Sequence, residues 1–278
     1  MAGLLRNDER EVAMYERELE IATQLALRAG AEAVAASQGR FAVEEKGPGD
    51  LVTSVDKALN RLIVEALRAA FPDDAIVAEE SADNSARARR TWFVDPIDGT
   101  KDFVNGTGEW SVMIGLAADG QPVVGVVYHA LPDRLYAAAL PGPATLTNGG
   151  QSEVIRCSAR RAPAALIAVR SANHPDRFAG RLDLHIGVTT GYAHGSLGCK
   201  LVQIAEGRGD LYGNGSGKVS LWDTCAGEAI LIAAGGRLFT ARGAAIDYNS
   251  ATTGITEPFL AFNEPGLPAW MEGLHELL

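Results

Sequence analysis

The chain has 278 residues, 47% of them hydrophobic and 22% charged, enough for one large soluble domain or two small ones. A net charge of −10 argues against a nucleic-acid surface, which needs a basic stripe, and no apolar run is long enough for a membrane span. The charged N-terminus MAGLLRNDEREVAMYERELE is unlike a signal peptide, and Cys157, Cys199 and Cys225 form no CxxC pair, so reduced thiols and a cytoplasmic location are expected.

Residues 1–8 read as a frayed terminus. From Val12, the series Tyr15, Leu19, Ala22, Ala26, Ala29 and Ala33 recurs at spacings of three and four, which predicts a helix with a small-residue face. EEKGPGDLVTS (44–54) reads as a loop by its Gly-Pro-Gly. Ser54 can cap a second helix with Leu59, Leu62, Ile63, Ala66, Leu67 and Ala70 on one side, ended by Pro72. AIVA (75–78) and TWFVD (91–95) are buried strands, and SADNSARARR between them is a polar loop. WSVMIGLA, PVVGVVYH and RLYAAA, parted by Asp119-Gly120 and Pro132-Asp133, make a β-meander. The second half reads as a strand at 164–169, a loop, a helix at 197–206, the short strand DLY, a helix at 222–234, strands RLFTA and FLAFN, and a last helix from Pro268. This alternation predicts a layered α/β fold with two tightly joined halves.

Acidic residues gather at the element ends. Asp56 opens the second helix, Glu79-Glu80 follows AIVA, Asp95 and Asp98 follow the apolar strand WFV, and Asp223 opens the helix in WDTCAGEAIL. Each alone fits a helix first turn or a solvated loop. Together, two carboxylates three residues apart and three more acidic sites imply a positive partner. Hard cations such as Mg²⁺ take such oxygen ligands, and one carboxylate can bridge two ions about 3.5–4 Å apart. His129, His174, His185, His194 and His275 show no paired ligand spacing and are read as surface or loop residues; the cysteines make no zinc set. Gly99-Thr100-Lys101 adds a phosphate seat: Gly99 permits close backbone approach, and a helix beginning at Thr100 presents free amides. GNGSGK (213–218) lacks the spacing of a phosphate loop and reads as a turn; RARR (87–90) reads as solvated surface.

GDLVTSVD (49–56), AEES (78–81), DPIDGTKDF and WDTCAGEAILIAAGG, in that order, resemble the inositol monophosphatase superfamily of Mg²⁺-dependent, lithium-sensitive phosphatases, with similarity from about residue 15 to 262. The resemblance implies an α-β-α-β-α sandwich forming a single phosphatase unit over 1–278. Its approximate halves are 10–150, with the metal and phosphate motifs, and 151–278, with the substrate side and the last metal motif. It implies that Glu79, Asp95 and the Ile97 carbonyl hold one Mg²⁺, that Asp95, Asp98 and Asp223 hold a second, and that a third leans on Glu79. Thr100, paired with Asp56, would deprotonate the attacking water, while the Gly99 and Thr100 amides and Lys101 would bind phosphate. Lys101-Asp102-Phe103, NGTGEWSVMIGL and GSLGCKLVQIAEGRGDLY resemble the 3′(2′),5′-bisphosphate nucleotidase branch of CysQ type, in which Ser196 and Lys200 would contact the nucleotide. Ser216 stands where inositol-binding relatives carry an acid. Gly227 replaces a usual proline, and Ala172 a nucleotide-contacting histidine for which His174 could substitute. The expected activity is hydrolysis of adenosine 3′,5′-bisphosphate to AMP and phosphate. The alternatives are inositol-1-monophosphate, histidinol-phosphate or sugar-bisphosphate hydrolysis, and, from another class, a non-catalytic metal-dependent binding protein. The expected partner is a small phosphorylated substrate; relatives are often homodimers.

Overall fold

A computed structural model describes residues 13–81, 88–264, 266, 268 and 274. The expectations for residues 1–8, for most of the SADNSARARR loop and for a helix from Pro268 lie outside the described residues. The elements run α1 (Glu16–Ser37), β1 (Val43–Gly47), β2 (Asp50–Thr53), α2 (Ser54–Ala70), β3 (Ala75–Ala78), β4 (Arg90–Asp98), α3 (Thr100–Asn105), β5 (Ser111–Ala118), β6 (Gln121–His129), β7 (Arg134–Ala139), β8 (Thr145–Asn148) and β9 (Gln151–Val154). There follow β10 (Ile167–Ser171), α4 (Arg177–Ile186), β11 (Thr190–His194), α5 (Leu197–Ala205), β12 (Leu211–Asn214), β13 (Val219–Ser220), α6 (Leu221–Ala233), β14 (Arg237–Thr240), β15 (Gly254–Ile255) and β16 (Phe259–Phe262). Among these helices none is long and apolar enough to cross a membrane.

Strands β3 to β9 form a seven-stranded sheet in chain order, with β3 parallel to β4 and every later pair antiparallel. Successive residues of β4 point to opposite faces, and both faces are buried. Trp92 and Val94 pack with α1 and α2, whereas Phe93 packs with Leu201 of α5 and Ala226 of α6. The small face of α1 lets it sit low on the sheet: Ala22, Ala26, Ala29 and Ala33 are fully buried. The other face of the α5–α6 layer meets a five-stranded sheet in the order β11-β10-β12-β16-β14 through Val169, Tyr212, Phe259 and Ala261. Phe178, Leu182 and Ile186 of α4 cover its outer face. The layers are therefore α-β-α-β-α, as the resemblance implies.

Several local expectations are corrected. EEKGPGDLVTS is a β-hairpin, β1 against β2, not a loop; Gly49, at a φ of 75°, supplies the left-handed turn residue. The cap of α2 is Thr53, not Ser54. The predicted strand at 164–169 is a 3₁₀ turn at Pro163–Ala165 followed by β10. The stretch read as a loop after it holds α4 and β11, and β8–β9 form a second unforeseen hairpin. The hairpin strands are short and largely polar, with little period to show, whereas α4 does carry a helical repeat in Phe178, Leu182 and Ile186 that the reading as a loop passed over.

Candidate active site

β4 does not stop where the apolar run ends. It carries Asp95 and Asp98 onward, with an irregularity between them before Asp98 pairs with Ser111 on β5. At this break Asp95 lies beside Asp223 at the start of α6, while the Asp98 carboxylate meets the Gly198 amide at the start of α5. Asp56 and Asp223 arrive there by the same device. Each is the third residue of its helix and closes a capping box, Thr53 with Asp56 and Ser220 with Asp223. Glu79 follows β3, its amide donating to the Val94 carbonyl at 3.0 Å.

The scaffold ties one oxygen of each aspartate and leaves the other to the site. Asp56 Oδ2 accepts from the Thr53 amide at 2.8 Å and from the Thr53 hydroxyl. Asp223 Oδ2 accepts from the Ser220 amide at 2.6 Å, and Asp95 Oδ1 from the Ile97 amide at 3.0 Å. Asp98 Oδ2 accepts from the Gly198 amide at 2.6 Å and from the Ser196 hydroxyl.

Burial, reinforced by the mutual repulsion of Glu79, Asp98 and Asp223, holds Asp95 well above the usual carboxylate range. Burial does the same to Asp223, with Glu79 and Asp98 adding to it. Glu79 is pushed up to about 7, chiefly by burial, against the pull of Lys46. The Asp95 carboxyl is repelled by those of Glu79, Asp98 and Asp223, a cost that protons taken up by the cluster would relieve. A hard divalent cation does the same work without the proton. The donor set is all oxygen: carboxylates of Glu79, Asp95, Asp98 and Asp223, and the Ile97 carbonyl. It fits Mg²⁺.

Thr100 bridges the acids and the phosphate seat. Its Oγ1 lies 3.1 Å from Asp56 Oδ1 and 3.1 Å from the Ile97 carbonyl oxygen. Gly99 precedes it at a φ of 96°, where a Cβ would stand 3.0 Å from the Glu109 carbonyl oxygen. Glycine thus lets β4 turn directly into α3, whose first amides have no acceptor within the helix.

These groups open on a cavity of about 210 Å³ lined by Glu79, Asp98, Gly99, Thr100, Lys101, Asn173, His174, Lys200, Lys218 and Asp223. Asp56 lies behind Thr100, fully buried. Ser196 also lies behind the wall: its hydroxyl caps Cys199, meets Ser111 at 3.0 Å and donates to Asp98, so it supports an acid and does not face the cavity. Lys200 is buried yet reaches the wall; its Nζ donates to the carbonyls of Gly195 at 2.7 Å and His194 at 3.2 Å. Burial lowers its pKa to about 8.

The sequence did not point to Lys46, Asn173 or Lys218. Lys46, on the β1 strand read as a loop, places Nζ 2.9 Å from Glu79 Oε1 and 2.8 Å from Glu80 Oε1. Burial alone would lower its pKa, but the two carboxylates outweigh that and raise it. Asn173 is tethered to Asp102 on α3. No local pattern marks Lys46 or Asn173, because each acquires its place from a partner distant in sequence.

The family model for the inositol monophosphatase family matches residues 14–273. The chain belongs to this family. Membership places it among phosphatases, and curated relatives fall in two groups. It is 34% identical over 235 residues to the 3′(2′),5′-bisphosphate nucleotidase CysQ of Salmonella typhimurium, covering 83% of this chain and 93% of that one. It is 33% identical over 232 residues to inositol monophosphatase 2 of Solanum lycopersicum, covering 78% and 85%. Among solved structures, the extragenic suppressor protein suhB from Bartonella henselae superposes with a TM-score of 0.78 at 25% identity, covering 94% of this chain and 98% of that one. CysQ from Bacteroides thetaiotaomicron shares the fold, with a TM-score of 0.76 at 24% identity over 91% and 100% of the two chains.

Proposed function

We propose that this phosphatase is a Mg²⁺-dependent 3′(2′),5′-bisphosphate nucleotidase that hydrolyses adenosine 3′,5′-bisphosphate to AMP and phosphate. The observation that carries this reading is the company the acids keep. Lys101, His174, Lys200 and Lys218 line the same cavity as Glu79, Asp98 and Asp223. His174 is held below the usual imidazole range first by burial and then by Lys101, Lys218 and Lys200, a measure of how closely these cations gather. One scissile phosphate seated on metal and amides leaves such a cluster without a role; a second phosphate gives it one. Half-buried Trp222 borders an adjoining cavity of about 590 Å³ that shares Glu79, His174, Lys218 and Asp223, which puts an aromatic side chain within the reach of a base. Ser216, at the cavity rim, has its hydroxyl on Asn214 Oδ1 at 2.9 Å and supplies no carboxylate for sugar hydroxyls.

Glu79, Asp95, Asp98, Asp223 and the Ile97 carbonyl would hold the Mg²⁺ ions, two or three per site. Bound Mg²⁺ supplies Lewis-acid activation of water and neutralises charge building on the phosphoryl oxygens. The chain's own contribution starts at Asp56. With Oδ2 tied to Thr53, only Oδ1 is left to draw the Thr100 hydroxyl proton. Thr100 Oγ1 then turns a lone pair to the cavity and accepts a proton from water there. Asp56 is buried and Thr100 lines the wall, so the pair relays a proton inward without admitting solvent to the acid. The amides at the start of α3 receive the phosphate oxygens.

The test is a substrate panel with Mg²⁺ at equal concentration: adenosine 3′,5′-bisphosphate, inositol 1-phosphate, histidinol phosphate and fructose 1,6-bisphosphate. The highest kcat/KM on the nucleotide is expected. A higher value on inositol 1-phosphate would transfer the chain to the other group of relatives.

A further inference from the structure

A second cavity, of about 630 Å³, lies outside the acidic site. His129 at the end of β6, His194 at the end of β11 and Cys199 in the first turn of α5 line it. One ring nitrogen from each histidine and the Cys199 sulfur all lie within 4.8 Å of one another. His129 is remote in sequence from the other two, and the step from His194 to Cys199 runs from a strand end into a helix, so no recognised ligand spacing showed there. His129 Nε2 is 2.8 Å from the Gly108 carbonyl oxygen, which can only accept, so Nε2 carries the proton and Nδ1 the lone pair. A backbone carbonyl fixing one nitrogen of an imidazole is the support that metal-ligating histidines ordinarily have.

The polar atoms around this cavity are short of partners. His194 Nδ1, Tyr192 Oη and Gln203 Oε1 are buried and without a hydrogen bond, and all three residues line it. Gln203 is almost wholly buried, so its orphaned oxygen carries a real desolvation cost. Burial disfavours the charged form of both histidines, with His194 lowered to about 3, so their lone pairs stay available for a metal, whereas burial pushes the Cys199 thiol up to about 12, so the metal itself must displace that proton. Arg134 and Arg208 border the cavity and share Glu206, which offsets one of their two charges.

We propose that His129, His194 and Cys199 form a binding site for a borderline-soft divalent cation, Zn²⁺ by preference, separate from the carboxylate centre. Two imidazoles and a thiolate are zinc donors that Mg²⁺ avoids, while the all-oxygen set favours Mg²⁺, so the two metals sort by donor chemistry. Binding displaces the thiol proton to solvent and forms one Zn–S and two Zn–N bonds, with no change of oxidation state. Three protein donors leave a fourth position, which a water from the cavity would fill.

Co²⁺ is the probe, added to the full-length protein with Mg²⁺ in excess to keep the carboxylate centre filled. A thiolate-to-cobalt charge-transfer absorption, which carboxylates cannot give, should saturate at one ion per chain and be bleached by Zn²⁺. Cys157→Ser should keep the band and Cys199→Ser should abolish it. His194→Gln should weaken Co²⁺ binding by at least about tenfold, since losing even a supporting partner of a metal ligand costs that much. Should the buried Cys199→Ser variant fail to fold by circular dichroism, His194→Gln and His129→Gln decide. No band in the unaltered protein, a band surviving Cys199→Ser, or unchanged affinity in both histidine variants overturns the site. None of these readouts uses phosphatase activity, so the proposed function stands or falls separately.

Discussion

Thr100 and Asp56 carry the chemical burden at the scale of single residues. A positioned general base contributes about 10²- to 10⁴-fold to a rate. Thr100→Ala should therefore lower kcat by about that factor while the Mg²⁺ concentration for half-activation barely moves, because the threonine hydroxyl is no charged ligand. Steady-state kinetics across a Mg²⁺ series checks this; a near-normal kcat would remove the relay. Lys200 makes a different prediction. A charge-assisted contact to phosphate is worth about 1.5–3 kcal/mol, or about 10- to 150-fold. Lys200→Ala should lose that much in kcat/KM on adenosine 3′,5′-bisphosphate and spare p-nitrophenyl phosphate. Because burial sets the Lys200 pKa at about 8, its charge is present below that pH and lost above it. KM for the bisphosphate should accordingly rise as pH passes 8. Equal loss on both substrates in the variant would place Lys200 at the scissile phosphate, and no loss on either would leave it only holding the His194 and Gly195 carbonyls.

Among the elements, α6 decides where Asp223 stands, and its seat is made by glycine. Gly115 and Gly125 pair across β5 and β6 beneath it. A Cβ on Gly125 would lie 2.1 Å from the Ala226 carbonyl oxygen, a backbone atom that cannot swing aside. Gly125→Ala should cost at least about 1–3 kcal/mol by overpacking, read as a lower denaturation midpoint; an unchanged midpoint would mean that α6 rests elsewhere. The same close packing explains Gly227: a Cβ there would sit 2.6 Å from Leu201 Cδ1 on α5. Long elements, α1 and α2 with a helical period, α6 as a continuous apolar run and the β5–β7 meander, were legible in the sequence, as were the acids at their ends. The oxygen-by-oxygen tethering was not. Thr53 and Asp56 stand three apart and spell a capping box, but a neighbouring serine offered an equally good cap. Ser196 looked like a ligand contact because its place behind Asp98 depends on a partner 98 positions away. Polar hairpins such as β1–β2 lacked any apolar face to announce them, and Lys46 was lost with that hairpin.

For the whole molecule, buried acids make stability depend on pH and metal together. Glu79 titrates near 7 in the folded chain because burial opposes its charge, and Asp95 and Asp223 are raised as well. A carboxyl whose folded pKa is raised binds more protons folded than unfolded. Its contribution is therefore favourable at low pH and declines as pH climbs from the unfolded carboxylate range through the folded value. Without divalent metal, the melting temperature should fall between about pH 4.5 and pH 7 through these groups. Saturating Mg²⁺ should restore it by mass action and release protons on binding. A metal-free melting temperature that rises across this window, or one indifferent to Mg²⁺, would contradict the assignment of these acids to a cation.

The decisive comparison joins the acidic wall of the cavity to its basic one. Adenosine 3′,5′-bisphosphate and adenosine 3′-monophosphate present the same scissile phosphate and leaving group and differ only in the second phosphate. Measured with Mg²⁺ under identical conditions, kcat/KM should favour the bisphosphate by about 10- to 150-fold, the worth of one charge-assisted phosphate contact. Equal values for the two nucleotides would contradict a second-phosphate site formed by Lys101, His174, Lys200 and Lys218.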